Sequence, residues 1–421
     1  MTGAYIHIPF CKQKCKYCDF NSYSGMTDMS YSYADALIKE IETAKLKLPD
    51  TKLSSIYIGG GTPTYIDTAL TEKIVEAVKN NFSIKDDAEI TIECNPGTAD
   101  FEKLSRLRKC GINRLSIGMQ SSADDMLKSL GRVHNYNDFL ECFKSARNSG
   151  FENISVDLMF GLPNQSLDLW KETLEKTAEL EPEHISAYSL KIEEGTPFWR
   201  LFNDGNLDLP DDDKNREMYD FCVNYLDNNG YNRYEISNFA KPGYESRHNL
   251  LYWNLDDYIG FGAGAYSCIG KFRFNNERSV SGYIDRVNNS GSGIIEIDKT
   301  AEYERMCEFV FLGLRLDRGI SKKKFMNMFG KDIFDVFGKQ LNKHINLLKT
   351  MEEYGDIIKI KSDYIYVSNI ILSAFCIKTY AHSLKPWAYS MSFIPEPCLK
   401  ILQLFLLISA QLRSYSFQAR L

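Results

Sequence analysis

Through roughly the first half of the chain, short apolar runs alternate with stretches in which apolar residues recur every three or four positions. This is the pattern of a parallel sheet with crossover helices. The strand-like runs are residues 4–8, 55–58, 89–94, 114–117, 154–159 and 185–190. Between them Leu37, Ile41 and Ala44, then Leu70, Ile74 and Val78, then Trp170, Leu174 and Ala178 each fall on one helix face. The class is α/β with six strand–helix units, and periodicity alone does not choose between a doubly wound sheet and an incomplete TIM-like barrel. After Leu190 the texture changes. Residues 236–290 are rich in Gly, Asn, Ser and Tyr with few helical periods, which predicts strands and loops laid against the first domain. From about Ala301, the apolar positions Phe325, Met328, Phe329, Val336, Leu341, Ile345 and Leu348 predict two or three short helices. Residues 356–368 then predict a hairpin turning at Ser362 and Asp363, so this segment has the outline of a winged helix. Lys322 to Lys324 fit a solvated first helical turn behind a Ser321 cap.

Composition narrows the function classes. The 421 residues are 44% hydrophobic, 13% aromatic and 25% charged, which excludes a disordered or fibrous chain. No window reaches the ~18 consecutive apolar residues of a membrane span. The N-terminus carries no cationic patch leading into an apolar stretch, so a cytoplasmic protein is expected, with its 11 cysteines reduced. A net charge of −6 makes no case for nucleic acid as the main partner. Residues 374–421 are compositionally foreign, without Gly, Asp, Asn or Val and with a net charge of +4, and are expected to be an extension of unknown role beyond the fold.

The spacing Cys11-Lys-Gln-Lys-Cys15-Lys-Tyr-Cys18 directly follows the first strand. Chance placement of 11 cysteines explains such a triplet poorly. A structural zinc site wants a fourth ligand, and the neighbourhood offers only His7, inside the strand, where a core role competes. Three thiolates on a [4Fe–4S] cluster would instead leave one iron open to a small molecule. This C-x3-C-x2-C loop, with Tyr17 as the aromatic before the last cysteine, resembles the signature of the radical S-adenosylmethionine (SAM) superfamily. The resemblance implies a partial (β/α)6 TIM-like barrel in which Cys11, Cys15 and Cys18 hold the cluster. It also implies a unique iron that chelates the amino and carboxylate groups of SAM, with cleavage to a 5′-deoxyadenosyl radical when an electron donor reduces the cluster.

Gly59, Gly60, Gly61 and Thr62 follow the second strand, and a triple glycine lets backbone approach a ligand closely. Glu93, Gln120, Arg132 and Asp157 lie in or just beyond the third, fourth and fifth strands, where barrel enzymes place site residues. Their contexts, IECNPGT, SIGMQS, LGRVH and DLMFGLPNQ, are similar to the coproporphyrinogen-oxidase-like branch, which holds oxygen-independent coproporphyrinogen III dehydrogenases and HemW-type heme chaperones. That resemblance implies SAM contacts from Tyr5, Tyr17, Gly60, Gly61, Thr62, Glu93, Gln120, Arg132 and Asp157, with Tyr266 closing the site.

Two departures point to the chaperone group. Ten residues precede Cys11, where the dehydrogenases carry a longer arm, and Cys18 is followed by Asp19 and Phe20 rather than a further cysteine two places on. His248, Asn249, Tyr252 and Trp253 match the HNxxYW motif of the chaperones, which implies His248 as an axial heme ligand. The expected protein binds a [4Fe–4S] cluster, SAM and heme and passes heme to an acceptor protein. The alternative is a coproporphyrinogen III dehydrogenase, and a redox-sensing winged-helix regulator is a third reading. The expected divisions are a barrel at 1–235, barrel-associated strands and loops at 236–300, a winged-helix-like domain at 301–373 and the tail at 374–421. Anaerobic reconstitution is expected to yield about four irons per chain, and Cys11→Ala, Cys15→Ala and Cys18→Ala each to lose them. Three variants that all retained a full complement of iron would refute the cluster assignment.

Overall fold

Alternate residues of six strands are apolar and meet the helices in one core. These are Ala4, Ile6 and Ile8 in β1 (Thr2–Ile8), Ile56 and Ile58 in β2 (Lys52–Gly60), and Ile90 and Ile92 in β3 (Ser83–Cys94). Leu115 and Ile117 in β4 (Arg114–Gln120), Val156 and Leu158 in β5 (Ile154–Phe160), and Ile185 and Ala187 in β6 (His184–Ser189) continue the series. The intervening positions, including Tyr5, His7, Tyr57, Glu93, Ser116, Asp157 and Ser186, face the opposite side. In this computed structural model, which describes residues 1–48 and 50–380, the six strands are parallel neighbours in chain order.

Helices α1 (Ser30–Lys47), α2 (Thr68–Asn81), α3 (Phe101–Lys109), α4 (Asp124–Leu130), α5 (Tyr136–Asn148) and α6 (Leu167–Ala178) fill the crossovers. Leu37 and Ile41 of α1, Leu70, Ile74 and Val78 of α2, and Trp170 and Leu174 of α6 are buried as their spacing predicts. Side-chain caps start several of these helices: Asp67 accepts from Ala69 N, Asp100 from Lys103 N, and Ser166 from Leu169 N.

The sheet extends beyond the six expected strands. β6 is followed by α7 (Pro197–Asn203) and α8 (Asp212–Asn228), and the antiparallel strands β7 (Asn232–Arg233) and β8 (Asn238–Ala240) line up beyond β6. On the other side β9 (Asp257–Phe261) pairs with β1 as a seventh parallel strand, followed by antiparallel β10 (Tyr266–Ile269), β11 (Phe272–Asn276) and β12 (Ile294–Lys299). Among the described residues, edge strands β7 and β12 do not pair with each other, so the barrel is a partial one. Five strands within residues 236–300 thus join the same sheet. The segment also contains α9 (Arg247–Trp253) and α10 (Val280–Ser290), which the sparse helical periods did not predict. α9 is only seven residues long and carries buried residues from His248 to Trp253, so no amphipathic period marks it.

One buried carboxylate ties this accessory sheet to α1. Glu40 is 5% exposed and accepts hydrogen bonds from Gly262 N (2.9 Å), Gly293 N (2.9 Å), Asn276 Nδ2 (2.9 Å) and the Tyr283 hydroxyl (2.7 Å).

The C-terminal region is winged-helix-like. α11 (Glu302–Gly313), α12 (Lys322–Phe329) and α13 (Ile333–Asn342) accompany a small antiparallel sheet of β13 (Ile320–Ser321), β14 (Met351–Tyr354) and β15 (Ile357–Ile360). Ser321 caps α12 by accepting from Lys324 N, so the lysine run does open a helix. The hairpin is earlier than predicted. It turns at Gly355 and Asp356, where Gly355 takes a φ of +55°, and Ser362–Tyr364 forms a 3-10 turn instead. The last helix, α14 (Ser368–Tyr380), crosses the expected boundary at 374: Phe375 is 1% exposed and meets the Phe337 ring edge-on at 5.8 Å. From residue 381 on, the compositionally foreign tail lies outside the described residues.

Glu40→Ala leaves four donors facing a buried void and is expected to destabilise the chain by about 3 kcal/mol in chemical denaturation. A loss below about 1 kcal/mol would show that these donors find other partners.

Candidate functional site

The cysteine loop leaves the end of β1 and is pinned on several sides. Phe10 and Cys11 pair in parallel with Tyr23 and Ser24, closing the loop at its base. Lys14 Nζ donates to the carbonyls of Phe20 (2.9 Å) and Ser22 (3.2 Å) across it. Lys16 N donates to Leu130 O and Phe198 N to Lys16 O, each at 3.0 Å, fastening its outer side to α4 and α7. Gly61 N and Thr62 N donate to Ile8 O (2.8 Å) and Phe10 O (2.9 Å), which draws the glycine turn under the loop. A Cβ on Gly61 would stand 2.8 Å from Phe10 O and 3.0 Å from Cys11 Sγ, so only glycine fits there. Gly60 needs glycine for a second reason, a φ of +118° against the His7 ring.

Above this turn lies a cavity of about 640 Å³. Cys11, Cys15, Cys18, Tyr17, Gly60, Gly61, Thr62, Glu93, Gln120, Arg132 and Asp157, all predicted from sequence, line it. Arg132 bridges two parts of its wall: one terminal nitrogen donates to Asn95 Oδ1 and Gly118 O, both at 2.7 Å, and the other lies 3.7 Å from Cys15 Sγ. Thr62 Oγ1 donates to Cys11 Sγ at 3.6 Å and accepts from Asn95 Nδ2 at 2.8 Å. Gln120 ends β4 with a φ of +69°, a left-handed conformation that is uncommon outside glycine.

Two carboxylates sit on the inward face of the barrel. Glu93 accepts from Gly60 N and the Tyr57 hydroxyl, each at 3.0 Å, and Asp157 accepts from Ser116 Oγ (2.9 Å) and Ser155 Oγ (3.2 Å). Burial, reinforced by the charge of Asp157, pushes the Glu93 carboxyl up to about 7, and burial raises Asp157 as well. The site therefore has acceptors suited to an ammonium group or ribose hydroxyls, which would restore the ionised form of Glu93 on binding.

The three thiols fit an iron–sulfur cluster better than a single ion. Among the described residues no three Cys, His, Asp or Glu side chains converge closely enough to hold one metal ion. A cubane asks for something else, since each thiolate takes a different corner and the sulfurs stand apart around a common cavity. Burial raises the Cys11 thiol and, with the charge of Cys15, lifts Cys18 to about 12, so ionisation of these thiols calls for a cationic partner.

Three predicted residues lie elsewhere. The Tyr5 hydroxyl donates to His7 Nδ1 at 3.0 Å, and Tyr5 packs against Tyr57, away from the cavity lining. Tyr266 opens β10 and does not line the cavity either. His248 is 0% exposed, with Nδ1 2.8 Å from Ser55 Oγ and Nε2 2.8 Å from the Tyr252 hydroxyl. Both ring nitrogens are occupied, so this conformation does not offer His248 as a heme ligand. Its imidazole anchors α9 to β2, and Trp253 is the residue of the HNxxYW segment that reaches the cavity.

Residues 5–177 match the radical SAM superfamily, and residues 301–356 match the HemN C-terminal domain. The chain is 40% identical over 356 residues to the heme chaperone HemW of Bacillus subtilis, an alignment covering 84% of this chain and 92% of that one. The chain belongs to the HemW family of radical SAM proteins. Family relatives include the heme chaperone HemW of Escherichia coli, 38% identical with 65% of this chain and 71% of that one covered. The mitochondrial radical S-adenosyl methionine domain-containing protein 1 of Mus musculus is 32% identical, with 80% and 78% covered. The structure of the Escherichia coli coproporphyrinogen III oxidase HemN superposes with a TM-score of 0.79 over 89% of each chain at 24% identity, which establishes the shared fold. Superfamily membership implies a [4Fe–4S] cluster and SAM, the groups whose chemistry the cavity's near end suits. No described helix is long and apolar enough to cross a membrane.

Several lining residues had no role in the sequence analysis: Asn95, Tyr188, Glu235, Phe311 and Arg315. Asn95 was within reach, since it directly follows Cys94 in the IECNPGT segment already singled out. Gly61→Ala is expected to weaken cluster retention by about tenfold, the scale of outer-shell changes at metal sites. Wild-type iron content after desalting would show that the turn tolerates a methyl group.

Proposed function

We propose that the protein is a heme chaperone, holding a [4Fe–4S] cluster, SAM and heme and passing heme to an acceptor protein. The observation that carries this is one cavity lined by all three motif cysteines, in a chain whose family relatives are heme chaperones. Cys11, Cys15 and Cys18 would hold the cluster. The glycine turn at Gly60 and Gly61, with Thr62, Glu93, Gln120, Arg132 and Asp157, would surround SAM; Tyr17 would cover the cluster loop. When bound, the cluster would offer SAM an open iron and, once reduced, an electron. The work of the protein's own groups is to bind and orient: Glu93 would accept from the ligand, and Arg132 and Thr62 orient Cys15 and Cys11.

Trp253, which lines the cavity, would cover a porphyrin face there. Because Ser55 and Tyr252 occupy both nitrogens of His248, iron ligation there would require both hydrogen bonds to break.

Heme titration of anaerobically reconstituted protein is expected to give a saturable Soret shift, and heme should then move to an apo-hemoprotein acceptor. The absence of a shift, or formation of vinyl product from coproporphyrinogen III with SAM and a reductant, would overturn the chaperone assignment. His248→Ala is expected to keep the shift. A variant with wild-type iron content but no shift would restore His248 as the heme ligand.

A further inference from the structure

The cavity has two chemically different ends. The near end is the cysteine loop and glycine turn. The far end is built by elements outside the barrel proper: Trp253 of α9, Phe311 and Leu312 of α11, Arg315 just after α11, and Asn369 and Ser373 of α14. Trp253, Phe311 and Leu312 give it an apolar side, against which stand the polar side chains of Arg315, Asn369 and Ser373.

The cations lining the cavity are engaged to different degrees. Lys191 pairs with Glu193 at 2.9 Å, Lys14 ties the cysteine loop through two carbonyls, and Arg132 bonds Asn95 and Gly118. Arg315 donates to Asn369 Oδ1 at 2.7 Å, and its guanidinium lies 4.6 Å from the Phe311 ring centroid and 5.9 Å from that of Trp253. Its Nε is buried without a hydrogen-bond partner. Glu235, 1% exposed, is the charge that acts on Arg315, yet its Oε1 accepts from Asn238 and its Oε2 is likewise without a partner. Among the described residues the two make no ion pair. Burial lifts the Glu235 carboxyl to about 7, which lowers its negative charge near neutrality and leaves Arg315 poorly compensated. A half-buried guanidinium on aromatic faces, with its Nε an unspent donor, is suited to a planar carboxylate, which it can take through two hydrogen bonds. The surrounding Trp253, Phe311 and Leu312 suit a large apolar body attached to that carboxylate.

We propose that the far end of the cavity seats the acid-bearing edge of a porphyrin-type ligand, with Arg315 pairing to one of its carboxylates and Trp253 and Phe311 lining its apolar body. This rests on the heme-chaperone assignment and narrows it: Arg315 selects ligands by their carboxylates, independently of what binds the iron. It also explains how an acidic chain receives an anionic ligand, through one half-buried cation in the cavity rather than a basic surface.

The test compares heme with its dimethyl ester, in which both carboxylates are blocked, by titration of reconstituted wild-type protein. The ester is expected to bind about tenfold to a hundredfold more weakly, the range for one charge-assisted hydrogen-bonding pair. Arg315→Gln should weaken heme by a similar factor and leave the ester unchanged, while Arg315→Lys recovers part of the preference. Iron content and SAM binding of these variants report that the near end is intact. Equal wild-type affinity for heme and ester would overturn the proposal without needing any variant, as would an Arg315→Gln protein that still preferred heme. Metal-free protoporphyrin IX, followed by fluorescence, separates this from the heme-chaperone assignment. If wild-type protein bound neither heme nor protoporphyrin, both would fall; if it bound protoporphyrin through Arg315 but gave no heme transfer, only the chaperone assignment would fall.

Discussion

The alternation of side chains along six parallel strands sets one condition that the rest of the molecule must meet. One parity delivers Ile, Leu and Val to the helices; the other delivers Tyr5, His7, Tyr57, Glu93, Ser116, Asp157, His184 and Ser186 to the inside of the barrel. An interior this polar is stable only where each group finds a partner. The observed pairings do so in a chain across the strands: Tyr5 with His7, Tyr57 with Glu93, Ser116 and Ser155 with Asp157, Ser155 with His184 and His184 with Tyr234. The carboxylates that end up facing the cavity are thus the same ones that hold the strands in register around it. Binding chemistry and folding share a network, and Glu93, kept near its titration point by burial, is where the network opens to a ligand.

Much of this was legible in the sequence because it is local. The six strands follow from apolar runs, and the cysteine and glycine loops follow from spacing, because a loop's few residues must all act at one strand end. Eleven predicted site residues meet in one cavity for that reason. What stayed hidden is what depends on distant packing. Phe311 and Arg315 carry ordinary core or surface signatures, and only the packing of α11 against α9 and α14 brings them to the cavity. His248 is set by distant packing in the same way. Its motif is real, but the residue's surroundings, Ser55 from β2 and Tyr252 one turn along, turn it inward. The hairpin was misplaced because Ser362 and Asp363 look as turn-prone as Gly355 and Asp356, and strand pairing with β13 decided between them.

The C-terminal region then has a second role beyond its own small core. α11 supplies Phe311 and Leu312 to the cavity from the same helix whose Phe309 packs against Phe325. A winged-helix outline usually suggests nucleic acid. Here Lys324 is drawn back onto Asn254 O, Lys322 onto Glu353, and Ser321 onto Asp356, so two of the three lysines are spent on intramolecular contacts. The domain works as a wall for the barrel's opening.

α14 makes that wall mechanically sensitive. Asn369 and Ser373 touch the cavity, while two turns of the same helix bury Ile371, Leu372 and Phe375 in the C-terminal core. A helix is stiff over this length, so a displacement at its buried side is transmitted to its cavity side almost undamped. One helix therefore ties the packing of the C-terminal core to the shape of a pocket whose chemistry begins at residue 11.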